Sequence, residues 1–178
     1  MAIFTVGHST RSLDELVALL REHDVELLAD VRTAPGSRRL PHFSRPALAA
    51  LLPTRGLAYV HLPELGGFRR PRPDSPNDGW QYCSFRGYAD YISTSEWRDG
   101  LERLISLAEG RNLAAMCAEA LPWRCHRSLI ADALVARGLA VTHLLAPGQS
   151  QLHQLTPFAS LAGDRITYPA PDRLPLDG

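Results

Sequence analysis

The chain has 178 residues, which is enough for one domain with a full hydrophobic core, and its formal net charge is zero. No apolar run approaches the roughly 18 to 20 residues that a membrane-spanning helix needs, so the sequence predicts no membrane contact. Residues 1–6 lack the basic segment and cleavage site of a signal peptide. We therefore expect a cytoplasmic protein.

Cysteine and lysine usage narrows the chemistry further. The cysteines are Cys83, Cys117 and Cys125, and an odd set in a chain of this size argues against a disulfide framework and for reduced thiols. The sequence contains no lysine. Mechanisms that require a lysine Schiff base are therefore excluded.

Strands and helices alternate along the first 61 residues. Ser12 followed by Glu15 is a capping box, and Ser44 can cap a second helix. The predicted elements are a strand at Ile3–Val6, a helix after Ser12, a strand at Val25–Val31, a helix from Ser44 through Leu52, and a strand at Leu57–His61.

The second part of the chain begins with an irregular segment from Pro63 to about Phe85, rich in Gly, Pro and Arg. Long loops in compact domains are usually functional or disordered, and we expect a partly ordered binding loop. The predicted elements that follow are helices at Gly87–Ile92 and Ser95–Ala108, a strand at Leu113–Cys117, a helix at Arg127–Ala136, a strand at Leu139–Leu144, and a weak strand at Arg165–Tyr168.

This alternation predicts a single-domain, Rossmann-like three-layer α/β sandwich with a mostly parallel sheet of about five strands. We expect the α/β domain to cover residues 1–146. Residues 147–178 are predicted to be a C-terminal extension that packs on the same domain or is partly disordered.

An arginine-rich segment runs from Arg32 to Arg72. It contains eight arginines and a single acidic residue, Glu64. If these side chains converge in the fold, they suit phosphate groups or a nucleic-acid backbone. A solvated surface loop explains the same composition, so both interpretations stay open.

Polar side chains follow four of the predicted strands. In parallel sheets, ligands bind beyond the carboxyl ends of the strands, so these side chains should share one crevice. Each has a simpler alternative: His8 can cap the first helix, Asp30 can pair with Arg32, and His61 can be a satisfied buried histidine. Taken together they favour a catalytic cleft over a binding module. The residues are His8 and Ser9, Asp30 and Arg32, His61 and Glu64, and Cys117 and Glu119.

The segment from Cys117 to Arg127 concentrates the most reactive chemistry. Cys125 and His126 precede a helix, whose N-terminus favours anions and lowers the pKa of an inward-pointing thiol. Zinc accepts the ligand types of Cys117, Glu119, Cys125 and His126, but the chain lacks the close cysteine pairs of structural zinc sites. We therefore predict no metal or other cofactor, with zinc as the open alternative. The sequence indicates no oligomeric state.

Short motifs along the chain resemble the signature of one known family. They are Gly7-His8-Ser9, Asp30-Val31-Arg32, Tyr59 with His61, Pro63, Leu65-Gly66-Gly67 and Arg69, and Met116-Cys117-Ala118-Glu119 with Cys125-His126-Arg127. Together they resemble the family named domain of unknown function 488, from about Phe4 to His143. The resemblance implies that these motif residues form a shared site, and it implies no particular activity.

The hypothesis we favour is an enzyme that acts on a nucleotide or nucleic acid, by hydrolysis or transfer at a glycosidic or phosphate-linked centre. Carboxylates would supply acid-base chemistry, arginines would hold phosphates, and Tyr59, Phe68 or Trp80 would stack on a base. The predicted catalytic residues are Asp30, Glu119, His8 and His126. The predicted substrate-binding residues are Ser9, Arg32, Arg38, Tyr59, His61, Glu64, Arg69 and Arg127.

Alternatives of two other classes remain. One is a cysteine-dependent sulfurtransferase-like or phosphatase-like enzyme, with Cys117 or Cys125 as nucleophile, although Glu119 would put a negative charge inside its anion-binding loop. The other is a non-catalytic nucleic-acid-binding module. If the reaction is base excision from DNA, the absence of lysine predicts a monofunctional DNA glycosylase that leaves the backbone intact.

Overall fold

The computed structural model describes residues 1–171, and a central sheet flanked by helices dominates it. The strands are β1 Ile3–Gly7, β2 Leu27–Asp30, β3 Ala58–His61, β4 Leu113–Cys117, β5 Val141–Ala146, β6 Gln149–Leu152, β7 Ser160–Ala162 and β8 Arg165–Thr167. The helices are α1 Leu13–Glu22, α2 Arg45–Thr54, α3 Cys83–Ile92, α4 Ser95–Ala108 and α5 Arg127–Ala136.

The main sheet has the strand order β3-β2-β4-β1-β5-β6. Its first five strands are parallel, and β6 runs antiparallel to β5. Strands β7 and β8 form a separate antiparallel pair. The predicted α/β class with a mostly parallel sheet is confirmed, and the sheet is one strand larger than the predicted five.

Helices cover both faces of the sheet, because side chains along each strand alternate between two buried clusters. On one face, Leu16 and Leu20 of α1 pack with Leu28 and Met116 of the sheet, and α2 contributes Leu48 and Leu52. On the other face, α3, α4 and α5 pack against the intervening sheet positions, including Ala29 and Ala115. Burying both faces of a parallel sheet gives the three-layer arrangement.

Several elements begin and end where the sequence predicts, and others do not. The capping box of Ser12 and Glu15 starts α1, and α4, β4 and α5 have the predicted bounds. Helix α3 begins at Cys83 rather than Gly87, and β6 and β7 were not predicted. All four residues of β6 are exposed, so that edge strand carries no apolar alternation to reveal it.

The C-terminal extension contributes to the fold as far as residue 171. Strand β6 extends the main sheet, and the side chain of Tyr168 is buried, with its hydroxyl donating to Asp132 Oδ2 at 2.9 Å. Residues 172–178 of this predicted extension lie outside the described residues. Within residues 1–171, none of the helices is long and apolar enough to cross a bilayer.

Candidate active site

A cleft of about 500 Å³ lies beyond the carboxyl ends of β1, β2 and β4, which are neighbours in the sheet. Its residues come from the loops after these three strands, from the segment after β3, from the start of α3, and from the turn before α5. The lining residues include His8, Arg32, Phe68, Phe85, Tyr88, Cys117, Glu119, Arg124, Cys125 and His126. We call this cavity the cleft.

Backbone hydrogen bonds join the loops after β1 and β4 and thereby position Glu119. The amide of His8 donates to the Cys117 carbonyl, and that of Ser9 to the Ala118 carbonyl, both at 2.9 Å. A Cβ atom at Gly7 would lie only 1.9 Å from the Glu119 carbonyl oxygen. Position 7 therefore requires glycine, which explains the Gly-His-Ser motif.

Asp30 lies beneath the cleft and is fully engaged. It is 0% exposed, and its Oδ1 accepts from Arg32 Nε at 2.8 Å while its Oδ2 accepts from Arg32 Nη2 at 2.6 Å and Tyr59 Oη at 2.8 Å. Burial and the neighbouring Asp30 carboxylate raise the pKa of Tyr59, so the phenol remains a donor. This geometry favours a role for Asp30 in positioning Arg32 over acid-base catalysis.

Arg32 reaches the cleft from this ion pair. Besides Asp30, its guanidinium donates to the Phe43 carbonyl at 2.8 Å and to His8 Nε2 at 3.2 Å. These contacts use four of the five N–H groups of the side chain and leave one, on Nη1, for a ligand. Arg32 is therefore a rigid donor with little freedom to reorient.

His8 is held neutral at the edge of the cleft. Burial is the main reason that its pKa falls from 6.5 to about 4, and the positive charge of Arg32 adds to the effect. Nδ1 contacts the Ser9 carbonyl at 2.9 Å and so carries the proton, while Nε2 accepts from Arg32. The ring stacks on Phe43, with centroids 4.3 Å apart. His8 thus orients Arg32 and has no unoccupied basic nitrogen.

Cys117, Cys125 and His126 form a compact group that we call the Cys–His cluster. His126 Nδ1 lies 3.9 Å from Cys117 Sγ and 3.7 Å from Cys125 Sγ. His126 Nε2 donates to the Val31 carbonyl at 3.1 Å, which turns Nδ1 toward the sulfurs. Gly67 packs against this ring, since a Cβ atom there would lie 3.0 Å from Nδ1.

The two thiols of the cluster have opposite acidities. The hydrogen bond with Cys125, together with burial, raises the pKa of Cys117. Burial alone would raise the pKa of Cys125, but hydrogen bonds with Cys117 and His126 and the positive charges of His126 and Arg127 hold it well below its usual value. The surroundings of Cys125 Sγ therefore favour its thiolate form.

Arg127 stands behind the cluster and is only 1% exposed. Its Nε donates to Cys125 Sγ at 3.4 Å, its Nη1 to Thr5 Oγ1 at 3.4 Å, and its Nη2 to the Glu119 carbonyl. Among residues 1–171 it makes no ion pair with a carboxylate. Buried charges are normally compensated, and the sulfur of Cys125 is the group placed to do so.

The outer wall of the cleft carries an exposed aromatic ring and an exposed arginine. Phe68 is 96% exposed and has a φ of 61°, a left-handed conformation that is strained for a residue with a bulky side chain. The Arg124 side chain is exposed and makes no ion pair within the described part of the chain. Exposed apolar rings and unpaired cations beside a cavity are typical of ligand contacts.

The structure brings six of the predicted site residues to the cleft: His8, Arg32, Cys117, Glu119, Cys125 and His126. The others lie elsewhere. Asp30, Tyr59 and Arg127 support the cleft from behind, and Ser9 acts through its backbone. Glu64 pairs with Arg103, Arg69 stacks over Tyr91 at 3.7 Å, and His61 Nε2 donates to the Arg32 carbonyl. Arg38 is exposed and is not among the residues that line the cleft.

Strand order explains most of this division. Strand β3, which ends at His61 and is followed by Glu64, is the edge strand and is separated from β4 by β2. Trp80, a predicted stacking residue, packs instead on Phe85, Phe158 and Tyr168. Phe85 and Tyr88 were not predicted, although their spacing of three residues on a helix was the signal that could have placed both on one face.

Residues 12–134 match the family described as Domain of unknown function DUF488. The chain belongs to this family. In this DUF488 chain the match includes Arg32 and the whole segment from Cys117 to Arg127, and it leaves out the Gly7-His8-Ser9 motif. No curated protein and no solved structure matches the chain.

Proposed function

We propose that this protein is a hydrolase that acts on a nucleotide or nucleic acid and releases the base at its glycosidic bond, with Glu119 as the general base. The observation that carries the proposal is the composition of the cleft, in which one carboxylate, two arginines and an exposed phenyl ring surround about 500 Å³. Cavities of about 300 to 1,000 Å³ suit small ligands.

The base and the phosphate of a nucleotide each have a counterpart in the cleft. Phe68 and Phe85 offer aromatic faces on which a base can stack, a contact worth about 1–3 kcal/mol. Arg124 and the one remaining N–H of Arg32 are donors for phosphate oxygens, and the Arg124 guanidinium can bind phosphate in a fork. The strained conformation of Phe68 supports a binding role, because such strain concentrates at functional positions.

Glu119 is the one carboxylate among the described residues that line the cleft. In the proposed step, a water oxygen forms a bond to the anomeric carbon as the carbon–nitrogen bond breaks and its electron pair moves to the base. Glu119 takes a proton from the water and passes it to the departing base, so the proton balance closes. Two-carboxylate mechanisms need a second acid group, and the buried pairing of Asp30 makes it unsuited to that role.

The experiment compares the wild type with Glu119→Gln on nucleosides, nucleotides and oligonucleotides that carry normal and modified bases. We expect the variant to lose about 10²- to 10⁴-fold in turnover, which is the contribution of general acid-base catalysis, and to keep its substrate affinity. Glu64→Gln is the matched control, because that carboxylate pairs with Arg103 outside the cleft. Chromatography of the released base measures turnover.

Two outcomes would overturn the proposal. The first is no binding or turnover of any compound in the panel by the wild type. The second is salt-dependent oligonucleotide binding without any chemistry, which would make the protein a nucleic-acid-binding module.

A cytoplasmic setting is part of the proposal, and the three free cysteines support it, since reducing compartments keep thiols unpaired.

A further inference from the structure

The Cys–His cluster has the dimensions of a metal site. The three candidate ligand atoms, Cys117 Sγ, Cys125 Sγ and His126 Nδ1, lie within 4.8 Å of one another. In a tetrahedral zinc site, bonds of about 2.3 Å to sulfur and 2.0 Å to nitrogen place sulfur about 3.5 Å from nitrogen. The distances of 3.9 and 3.7 Å from the sulfurs to Nδ1 are close to that value.

The orientation of His126 is that of a metal ligand. Its Nε2–H donates to the Val31 carbonyl at 3.1 Å, which leaves Nδ1 as the coordinating nitrogen. Metal-binding histidines usually donate their second ring N–H to a backbone carbonyl or carboxylate, since this fixes the ring. Two further groups pack against the imidazole: the Tyr88 ring, whose centroid lies 4.9 Å from that of His126, and Gly67.

The surroundings of the cluster also suit a cation held by thiolates. Arg127 places a positive charge 3.4 Å from Cys125 Sγ, which stabilises negative sulfur in a buried setting. Zinc accepts two thiolates and one imidazole as ligands. Magnesium and calcium instead require oxygen donors.

We propose that Cys117, Cys125 and His126 bind a zinc ion through these three side chains, with the fourth coordination position open to the cleft. Three protein ligands with an open position are typical of catalytic zinc, whereas structural zinc has four. In that position the metal lowers the pKa of a bound water. Glu119, two residues after Cys117 and in the same cleft, is available to take the water's proton.

The sequence spacing of the three ligands differs from that of structural zinc motifs. The sequence pattern alone therefore does not stand out as a zinc site. Cys117 ends β4, while Cys125 and His126 immediately precede α5. The ligands therefore converge through the strand-to-helix connection rather than through a close pair such as C-x2-C. That connection is held by the backbone contacts that join Cys117 and Ala118 to the loop after β1.

Elemental analysis of protein purified without a metal-affinity tag and under reducing conditions is the first test. We expect zinc in a one-to-one ratio with the chain. Replacing zinc with cobalt in the wild-type protein should produce a thiolate-to-cobalt charge-transfer band. This second measurement requires no substitution and therefore does not depend on the folding of a variant.

Variants locate the ion. We expect Cys125→Ser and His126→Gln to lose at least about 100-fold in zinc affinity, measured by competition with a chromophoric chelator, because a ligand contributes more than the 10- to 100-fold of its hydrogen-bond partners. Cys83→Ser is the matched control, since Cys83 is an exposed free cysteine outside the cluster. Gly67→Ala should weaken binding less, by pressing on Nδ1.

Zinc at trace levels, a cobalt complex without the charge-transfer band, or equal zinc affinity in Cys125→Ser and Cys83→Ser would each overturn the metal site. The result is independent of the proposed hydrolase activity. A protein that binds zinc through the cluster but turns over no nucleotide would uphold the site and reject the proposed substrate class.

Discussion

The buried region around Asp132 and the Cys–His cluster both contain histidine, and they differ in the atoms that bind the histidine side chains. In the first, the Asp132 carboxylate accepts from His153 at 2.8 Å, from the amide and hydroxyl of Thr156 at 2.9 and 2.7 Å, and from Tyr168 at 2.9 Å. In the second, the Cys–His cluster, the two atoms that contact His126 Nδ1 among residues 1–171 are sulfurs, at 3.7 and 3.9 Å.

The Asp132 region continues as a directed chain. His153 contacts His143 at 2.9 Å, and His143 Nδ1 contacts Thr5 Oγ1 at 2.6 Å. Each donor in it has an acceptor, with both histidines neutral, so the region stabilises the fold. We call it the Asp132 network. The Cys–His cluster opens into the cleft instead. The two regions therefore differ in partner chemistry and in position, since the Asp132 network is built from oxygen and nitrogen atoms and the Cys–His cluster places two sulfurs at the strand ends.

The largest change in stability is expected from Asp132→Asn. An amide nitrogen cannot accept a hydrogen bond, so buried donors lose their partner and the free energy of unfolding should fall by about 3–5 kcal/mol. Urea denaturation measures the loss. Asp164→Asn, at an exposed position, is the control. A loss below about 1 kcal/mol, or a loss of cleft binding by the folded variant, would contradict the structural role.

Lowering the pH should also weaken the Asp132 network. Burial, together with the neighbouring His153 and the positive charge of Arg127, lowers the pKa of His143 from 6.5 to about 4. The folded state therefore binds fewer protons than the unfolded state between these pH values. Stability from this group is fully present above pH 6.5 and is lost as the pH falls to about 4.

The loss is on the order of 2 kcal/mol, since each pKa unit corresponds to about 1.4 kcal/mol and solvent screening reduces the full effect. Urea denaturation at a series of pH values measures it. In His143→Gln the curve should be flatter across this range, because the titrating group is gone. An identical pH slope in both proteins would show that His143 is not responsible.

In the cleft, Phe68→Gly should weaken nucleotide binding without lowering the free energy of unfolding. Removing the ring should weaken nucleotide binding by about 1–3 kcal/mol, which is roughly 5- to 150-fold in Kd. Glycine also relieves the left-handed conformation, so stability should stay level or rise by up to about 1 kcal/mol. Isothermal titration and urea denaturation give the two values. Unchanged affinity would remove Phe68 from the binding surface.

Much of the fold was predictable because local signals agreed with the tertiary structure. Ser95–Ala108 and Arg127–Ala136 follow helical periodicity, and Ser12 with Glu15 marks the start of α1. The strand β6 was not predictable, because an exposed edge strand with no apolar face pairs through its backbone alone.

The candidate site was predictable only in part. The strand-end rule led to His8, Glu119 and the Cys–His cluster, because their strands are neighbours. It could not decide between a catalytic Asp30 and the alternative pairing with Arg32, and the hydrogen bond from Tyr59 was not predicted, since both depend on side-chain geometry. The positive φ of Phe68 is likewise invisible in a sequence, because nothing in a non-glycine residue indicates it.

The products of the reaction test the proposal that the cleft breaks a glycosidic bond. Mass spectrometry of an oligonucleotide substrate after incubation with the wild-type protein should show free base and an abasic strand of unchanged length, because the chain has no lysine for a Schiff-base step. Release of phosphate, a cut backbone with the base still attached, or base release that Glu119→Gln carries out at the wild-type rate would contradict the claim.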